Sequence, residues 1–423
     1  MANFINLRNK SHSFLYLNSS QFLGIVNDNI IKLNLIYFLI DILGTGQTHR
    51  IISMISAFYI LPLIIFSSFC GHLADRFSKR NILVIAKAAE MLLSFCYFFV
   101  FEFKSVFFSY LLLFFTGLHT ALIGPSKYAI IPEIVEKKNI PRANSLLISL
   151  SYLSIIIGVF LGSLINQITN KNYPLIAFIS LLLAFLGFLF SVWIPKTPIQ
   201  DKAKKLTFNF FYEILHSLNS LKTRPFVIFS LFGSAFFLFI GAFLQLNMIP
   251  FAMQHLNMTE VAGGYLFLAS SLGIAVGSLL VNKMMKNQIN LFVPVVSYLC
   301  IACLLLVLGL GAFELTNIIV FLFLLGLLGG FVVTPFETYI QLYVSESNRG
   351  KVWGVAGFLS FSHVLLAAFI LFLLGDVAQI SPKESFLYLA VIVFVVFIVF
   401  LRILFEKRKI PFNFGKTEGE KDD

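Results

Sequence analysis

Long apolar runs broken by short polar segments dominate this chain from residue 14 to residue 405. A helix that crosses a bilayer needs about 20 mostly apolar residues. Windows of that length predict twelve spans, near 14–43, 51–73, 81–103, 106–132, 144–168, 174–195, 226–252, 261–281, 289–312, 316–343, 352–375 and 384–405. Turn formers punctuate the breaks, as at Gly44-Thr45-Gly46 and Ser381-Pro382-Lys383. The longest interruption, residues 196–225, opens Lys196-Thr197-Pro198 and separates six spans from six. Within it Phe211, Ile214, Leu215 and Leu218 recur at helical spacing, which predicts an amphipathic helix on the membrane surface. The expected organisation is a six-helix bundle over 1–195, a linker over 196–225, a second six-helix bundle over 226–405 and a tail over 406–423. No signal peptide is expected: the first span is long, contains charges and lacks a small-residue cleavage pattern after a basic start.

Composition strengthens this picture. The chain is 58% hydrophobic and only 12% charged, about half the charge of a typical globular protein, and its mean hydropathy is +0.90. An intrinsically disordered chain, a secreted disulfide scaffold and a soluble nucleic-acid binder are excluded. Cys70, Cys96, Cys300 and Cys303 all lie in apolar runs, so packing explains them better than redox chemistry or metal binding, and no cofactor is implied.

The net charge of +11 resolves once its placement is read. Alternate inter-span segments hold 24 of the Lys and Arg residues, whereas the intervening loops hold only Arg50, Lys104, Lys171 and Lys383. By the positive-inside rule this bias places both termini in the cytoplasm and requires an even number of spans. The positive charge is topology, and nucleic acid is not needed to explain it.

The halves also repeat. GHLADRFSKR (71–80) after span 2 and GSLLVNKMMK (277–286) after span 8 share a Gly-x-Leu start and a basic end, 206 residues apart. Pro125, Lys127 and Tyr128 in span 4 answer to Pro335, Glu337 and Tyr339 in span 10, with 210 residues between the prolines. One duplication explains both offsets, and internal repeats of this kind build many secondary transporters.

The loop GHLADRFSKR resembles the signature loop of the major facilitator superfamily, through Gly71, Asp75, Arg76, Lys79 and Arg80. Three further stretches, QFLGIVNDNIIK (21–32), GLHTALIGPSKYAIIPEIV (117–135) and TPFETYIQ (334–341), resemble the lysophospholipid transporter family. The resemblance implies an all-α carrier of twelve helices in two pseudo-symmetric bundles. It also implies movement of lysophospholipids, foremost lysophosphatidylethanolamine, from the outer to the inner leaflet of a bacterial inner membrane for re-acylation. Membrane lipids and a separate cytoplasmic acyltransferase are the implied partners. Some relatives carry the acyltransferase in the same chain, whereas only a short polar tail follows span 12 here. Glu337 stands where relatives more often have a neutral amide, and span 7 has no arginine.

An ionised side chain at the centre of a bilayer costs about 2.5–3.5 kcal/mol on insertion scales, so each one needs a reason. Gln21, Asp28 and Lys32 share one face of span 1. They read as a cavity-lining stripe or as a self-neutralising pair that only holds helices together. Lys127 and Glu337 occupy matching places in the repeat and read as facing each other across a central cavity or as one interhelical salt bridge. Asn29 borders the first stripe and Gln341 lies one turn beyond Glu337; both join the candidate substrate-binding set. Gln245 and Asn247 in span 7 fit a cavity wall or a backbone bond equally well. Asp28, Lys32, Lys127 and Glu337 together suit a zwitterion, ammonium to carboxylate and phosphate to lysine. Lys87 and Glu90 read as a structural pair near the cytoplasmic edge, and His119 and His363 as satisfied core histidines.

Gly71 would admit a close helix approach. Asp75 would meet the N-terminal end of span 11 near Lys351, while Arg76 and Arg80 would reach helix-end carbonyls or carboxylates. Similarity to the superfamily implies that this network gates the carrier by locking its outward-facing state. No Walker motif GxxxxGK[ST] and no nucleophile–base or HxxxxD constellation is found, so neither direct ATP drive nor an enzyme is expected. Two other functions remain open at this point: a proton-coupled efflux carrier of drugs or small metabolites, and a non-transporting membrane partner of an acyltransferase.

Overall fold

The computed structural model describes residues 2–44, 48–198, 210–258, 260–285, 289–345 and 348–407. Among them twelve helices are long and apolar enough to span a membrane: His12–Leu43, Met54–Arg76, Lys79–Glu102, Val106–Ala129, Lys137–Ile168, Tyr173–Val192, Pro225–Gln254, Leu266–Met284, Phe292–Leu310, Leu315–Tyr343, Arg349–Gly375 and Ser385–Glu406. Every backbone polar group must be satisfied inside the segment when lipid surrounds it, which makes helix the form these apolar runs take. Large apolar side chains such as Phe99, Phe107, Phe185 and Phe394 face outward, the reverse of a soluble protein. Cys300 and Cys303 lie on the same outer surface, both unpaired and exposed.

Local chemistry sets the helix ends. Span 5 starts several residues before the expected 144, because Pro141 fits the first turn of the helix Ile140–Ile168, where its missing N–H costs nothing. Asn172 caps span 6 by accepting from Leu175 N at 3.1 Å. Span 4 stops at Ala129 rather than 132 and gives way to the short helix Ile131–Ile134, with Pro132 at its start.

The packing repeats with a period of six spans. Span 2 packs on span 4 and crosses to span 11; span 8 packs on span 10 and crosses to span 5. Spans 3 and 6 pair in the first half as spans 9 and 12 do in the second. Small residues make the central crossing possible: a Cβ on Gly71 would stand 2.9 Å from the Cα of Gly354, so only glycine lets spans 2 and 11 come together there.

The polar and aromatic links between the halves lie at the end of the bundle that carries loop 71–80. Asn144 Nδ2 donates to Thr338 Oγ1 at 3.0 Å and Ser149 Oγ donates to the Ala275 carbonyl at 2.6 Å. Tyr128 stacks on Trp353 with ring centroids 4.3 Å apart and planes 14° from parallel. In the linker, Phe210–Ser220 is helical. Ile214 and Ser217 are buried while Leu215 is exposed at 67%, so Leu215 does not share the packed face. Adjacent positions on a helix diverge by about 100°, and the docked face follows 214, 217, 218 and 221. The side chain of Phe211 and residues 199–209, with Lys202, Lys204 and Lys205, lie outside the described residues.

Candidate functional site: a two-sided cavity between the halves

A cavity of about 550 Å³ lies between the two halves. Span 1 contributes Gln21, Asp28 and Lys32, the stripe expected from the sequence, and the bordering Asn29, all lining this cavity. Val26, Ile30 and Leu35 turn the opposite way into the apolar core of the first half. Asp28 and Lys32 do not close on each other as an ion pair. The Lys32 ammonium instead lies 4.4 Å from the centroid of the Tyr59 ring, where the aromatic face attracts the cation. Asn29 Nδ2 donates to the Ile25 carbonyl at 2.7 Å, which leaves its oxygen for the cavity side.

Span 4 places Lys127 in the wall, with its Nζ 4.9 Å from the Tyr128 ring centroid. Glu337 of span 10 also lines the cavity and is 8% exposed. Lys127 and Glu337 line the same cavity, yet among the described residues they form no direct ion pair, so the interhelical salt bridge is not what is found. Tyr128 and Tyr152 line the same cavity as Glu337. Gln341 is fully buried and is not among the lining residues; span 10 runs past the cavity by that point, into the seal made by Thr338 and Asn144. The two span 7 candidates part company. Gln245 lines the cavity, whereas Asn247 Nδ2 donates to the Pro382 carbonyl at 2.7 Å.

Lys87 corrects the edge placement expected for it. Lys87 and Glu90 do pair, at 2.6 Å, but Lys87 also lines the cavity. It fits because Gly24 of span 1 has no side chain: a Cβ there would collide with the Lys87 ammonium. Glu90 accepts from Asn27 Nδ2 at 3.1 Å, and His119 Nε2 lies 3.7 Å from Glu90 Oε2, beyond hydrogen-bond reach. His119 lines the cavity too and is not the satisfied core histidine expected. His363 is satisfied, its Nδ1 2.7 Å from the Leu359 carbonyl. With Glu90 neutralising Lys87, the charges left facing the cavity are Asp28 and Glu337 against Lys32 and Lys127. They balance.

The walls differ. Spans 1 to 5 supply Asp28, Lys32, Lys87, His119 and Lys127, while spans 7 to 11 supply mainly Phe237, Leu238, Phe267, Ile274, Val333, Phe361 and Val364, together with the uncharged polar Ser234, Gln245 and Ser360 and with Glu337 as their one charge. Three of the four ionised groups singled out from the sequence thus come from the first half, and only Lys127 and Glu337 occupy matching places in the repeat.

Below the cavity, loop 71–80 meets span 11. Asp75, fully buried, accepts from Gly350 N at 2.6 Å and from Lys351 N at 2.8 Å. These are N–H groups of the first turn of Arg349–Phe372, where the helix leaves donors unpaired and favours an anion. This is the contact expected of Asp75. Arg80 reaches the end of span 6, Nη2 donating to the Val192 carbonyl at 2.7 Å and Nε to the Ile194 carbonyl at 3.1 Å. Lys79 pairs with Glu133 at 2.5 Å. Arg76 differs from its expectation: its guanidinium carbon lies 5.6 Å from the Phe77 ring centroid, and no helix-end carbonyl is among its described contacts.

The family model described as Major Facilitator Superfamily matches residues 17–368. The chain belongs to the major facilitator superfamily. It is a membrane transporter rather than an enzyme. Among curated superfamily relatives, the lysophospholipid transporter LplT of Klebsiella pneumoniae (strain 342) is 25% identical over 352 residues, covering 81% of each chain. LplT of Escherichia coli O9:H4 (strain HS) is 25% identical over 338 residues, 78% of this chain and 79% of that one. Solved superfamily structures share the fold. The human organic anion transporter MFSD10 superposes with a TM-score of 0.69 at 16% identity, covering 92% of this chain and 99% of that one. The E. coli fucose:proton symporter FucP does so with 0.70 at 14% identity, covering 92% and 98%.

Proposed function

We propose that this superfamily member carries lysophospholipids, lysophosphatidylethanolamine foremost, from the outer to the inner leaflet of a bacterial inner membrane by alternating access. The observation that carries the reading is the two-sided cavity. A wall carrying Lys32, Lys127 and Asp28, completed by Glu337 from the facing half, suits a headgroup that is itself a zwitterion, phosphate to Lys32 and Lys127, ammonium to Asp28 and Glu337. The opposite apolar wall suits a single hydrocarbon chain. Likeness to the LplT proteins supports the same substrate class.

Both termini are assigned to the cytoplasm by the Lys and Arg bias, which puts the Asp75 seal on the cytoplasmic side. Asp75 and Gly71, on a loop that Arg80 braces against span 6, then form the gate that must part before the headgroup reaches the inner leaflet, where a separate acyltransferase would consume it. Arg76, over the Phe77 ring, adds no described contact to this gate. Uptake of labelled lysophosphatidylethanolamine, lysophosphatidylglycerol and lysophosphatidylcholine into cells lacking their own transporter tests the reading. Accumulation of the ethanolamine lipid above vector control is expected, and no accumulation of any of the three contradicts it.

A further inference from the structure

Glycines inside the membrane helices divide into two kinds. At Gly273, Gly326 and Gly330 a side chain would strike the backbone of the facing span, at Leu327, Ser270 and Ser278 respectively, so packing requires glycine there. Gly241, in the middle of span 7, is the other kind. Nothing lies within 4 Å of the place its Cβ would take, yet it borders the cavity. Glycine within a helix is unfavourable relative to alanine, and no neighbour demands it here. Its one consequence is space. That space opens on the cavity side of span 7, one turn from Phe237 and Leu238 and next to Ala242, with Gln245 one turn further on and Phe267 of span 8 lining the same cavity. Gly124 likewise meets nothing within 4 Å but belongs to the charged wall next to Lys127.

We infer that Gly241 sets the depth of an acyl slot: the hydrocarbon chain of a monoacyl lipid lies along Phe237, Leu238, Ala242 and Phe267, and the missing side chain at 241 makes room for its methylenes. The inference rests on the lysolipid reading above and adds to it the residue that selects chain length. Each methylene displaced from the slot into water weakens binding about fourfold, so a side chain at 241 discriminates against long chains in steps.

The test uses the full chain reconstituted in liposomes, with octanoyl, dodecanoyl and oleoyl lysophosphatidylethanolamine offered to wild type, Gly241→Ala, Gly241→Leu and Gly241→Phe. The oleoyl-to-octanoyl rate ratio is expected to fall in that order, by about tenfold or more at Phe if two methylenes are displaced. A ratio that stays constant across the series, whether or not all rates drop, overturns the inference. Should the Phe variant fail to accumulate, Leu238→Ala provides the opposite change and must shift preference toward longer chains; an unchanged ratio there also overturns it. A wild-type protein that moves none of the three lipids defeats the lysolipid reading, whereas a flat series in an active protein defeats only the role of Gly241.

Discussion

The two walls of the cavity come from halves built on one packing plan, and they carry different chemistry. Spans 2, 4 and 11 meet as spans 8, 10 and 5 do, and both halves keep a proline two residues before the cavity charge, Pro125 before Lys127 and Pro335 before Glu337. The first half nevertheless carries Asp28, Lys32, Lys87, His119 and Lys127, and the second mostly hydrocarbon and aromatic rings, with Glu337 its one charge beside Gln245 and two serines. Helix contacts must be kept in both copies because a side chain at Gly71 or Gly326 has nowhere to go. Cavity-facing positions are free of that constraint and can diverge until one wall recognises a headgroup and the other a chain.

Removing the charge of Asp28 should break this asymmetry most. Asp28→Asn leaves a lysine of the cavity set uncompensated, and the initial rate of lysophosphatidylethanolamine uptake, at matched expression, is expected to fall by about 100-fold or more. Lys127→Ala comes next: uptake should fall by about tenfold, uniformly for phosphate-bearing headgroups, and selective loss of one headgroup class would contradict its role. At the seal, Asp75→Asn keeps the shape but turns one of the two accepting oxygens into an NH2 donor, so one hydrogen bond to span 11 is lost and the other loses its charge assistance, a cost of about 1 kcal/mol or more. Labelling of Cys70, which is 1% exposed beside the seal, by a membrane-permeant thiol reagent should then rise about fivefold. The smallest effect belongs to Gln341→Ala, with uptake changed less than about twofold, because Gln341 lies outside the cavity wall.

Most of the fold was readable before any coordinates, since lipid demands long apolar helices and leaves few alternatives. Asp28, Lys32, Lys127 and Glu337 stood out for the same reason: charges that oppose lipid cannot be hidden in a sequence. Lys87 did not, because its partner Glu90 three residues on makes a complete structural explanation, and its reach into the cavity depends on Gly24 of another helix. Trp353 and Tyr128 were silent too. A stacked pair across the halves has no local signature in a chain with 51 Phe and 14 Tyr. Gln341 misled because helical spacing predicts a shared face but not where along the helix the cavity closes. Arg76 shows the limit of motif reading, for its place in the signature loop does not specify which group it touches.

The central claim is that the charged wall selects the headgroup while the apolar wall takes the chain. It is tested most directly by comparing transport, in protein-containing liposomes, of oleoyl lysophosphatidylethanolamine and of monooleoylglycerol, which keeps the chain and lacks the phosphate and ammonium. The account predicts that the protein accelerates movement of the first and not of the second; equal acceleration of both would contradict it.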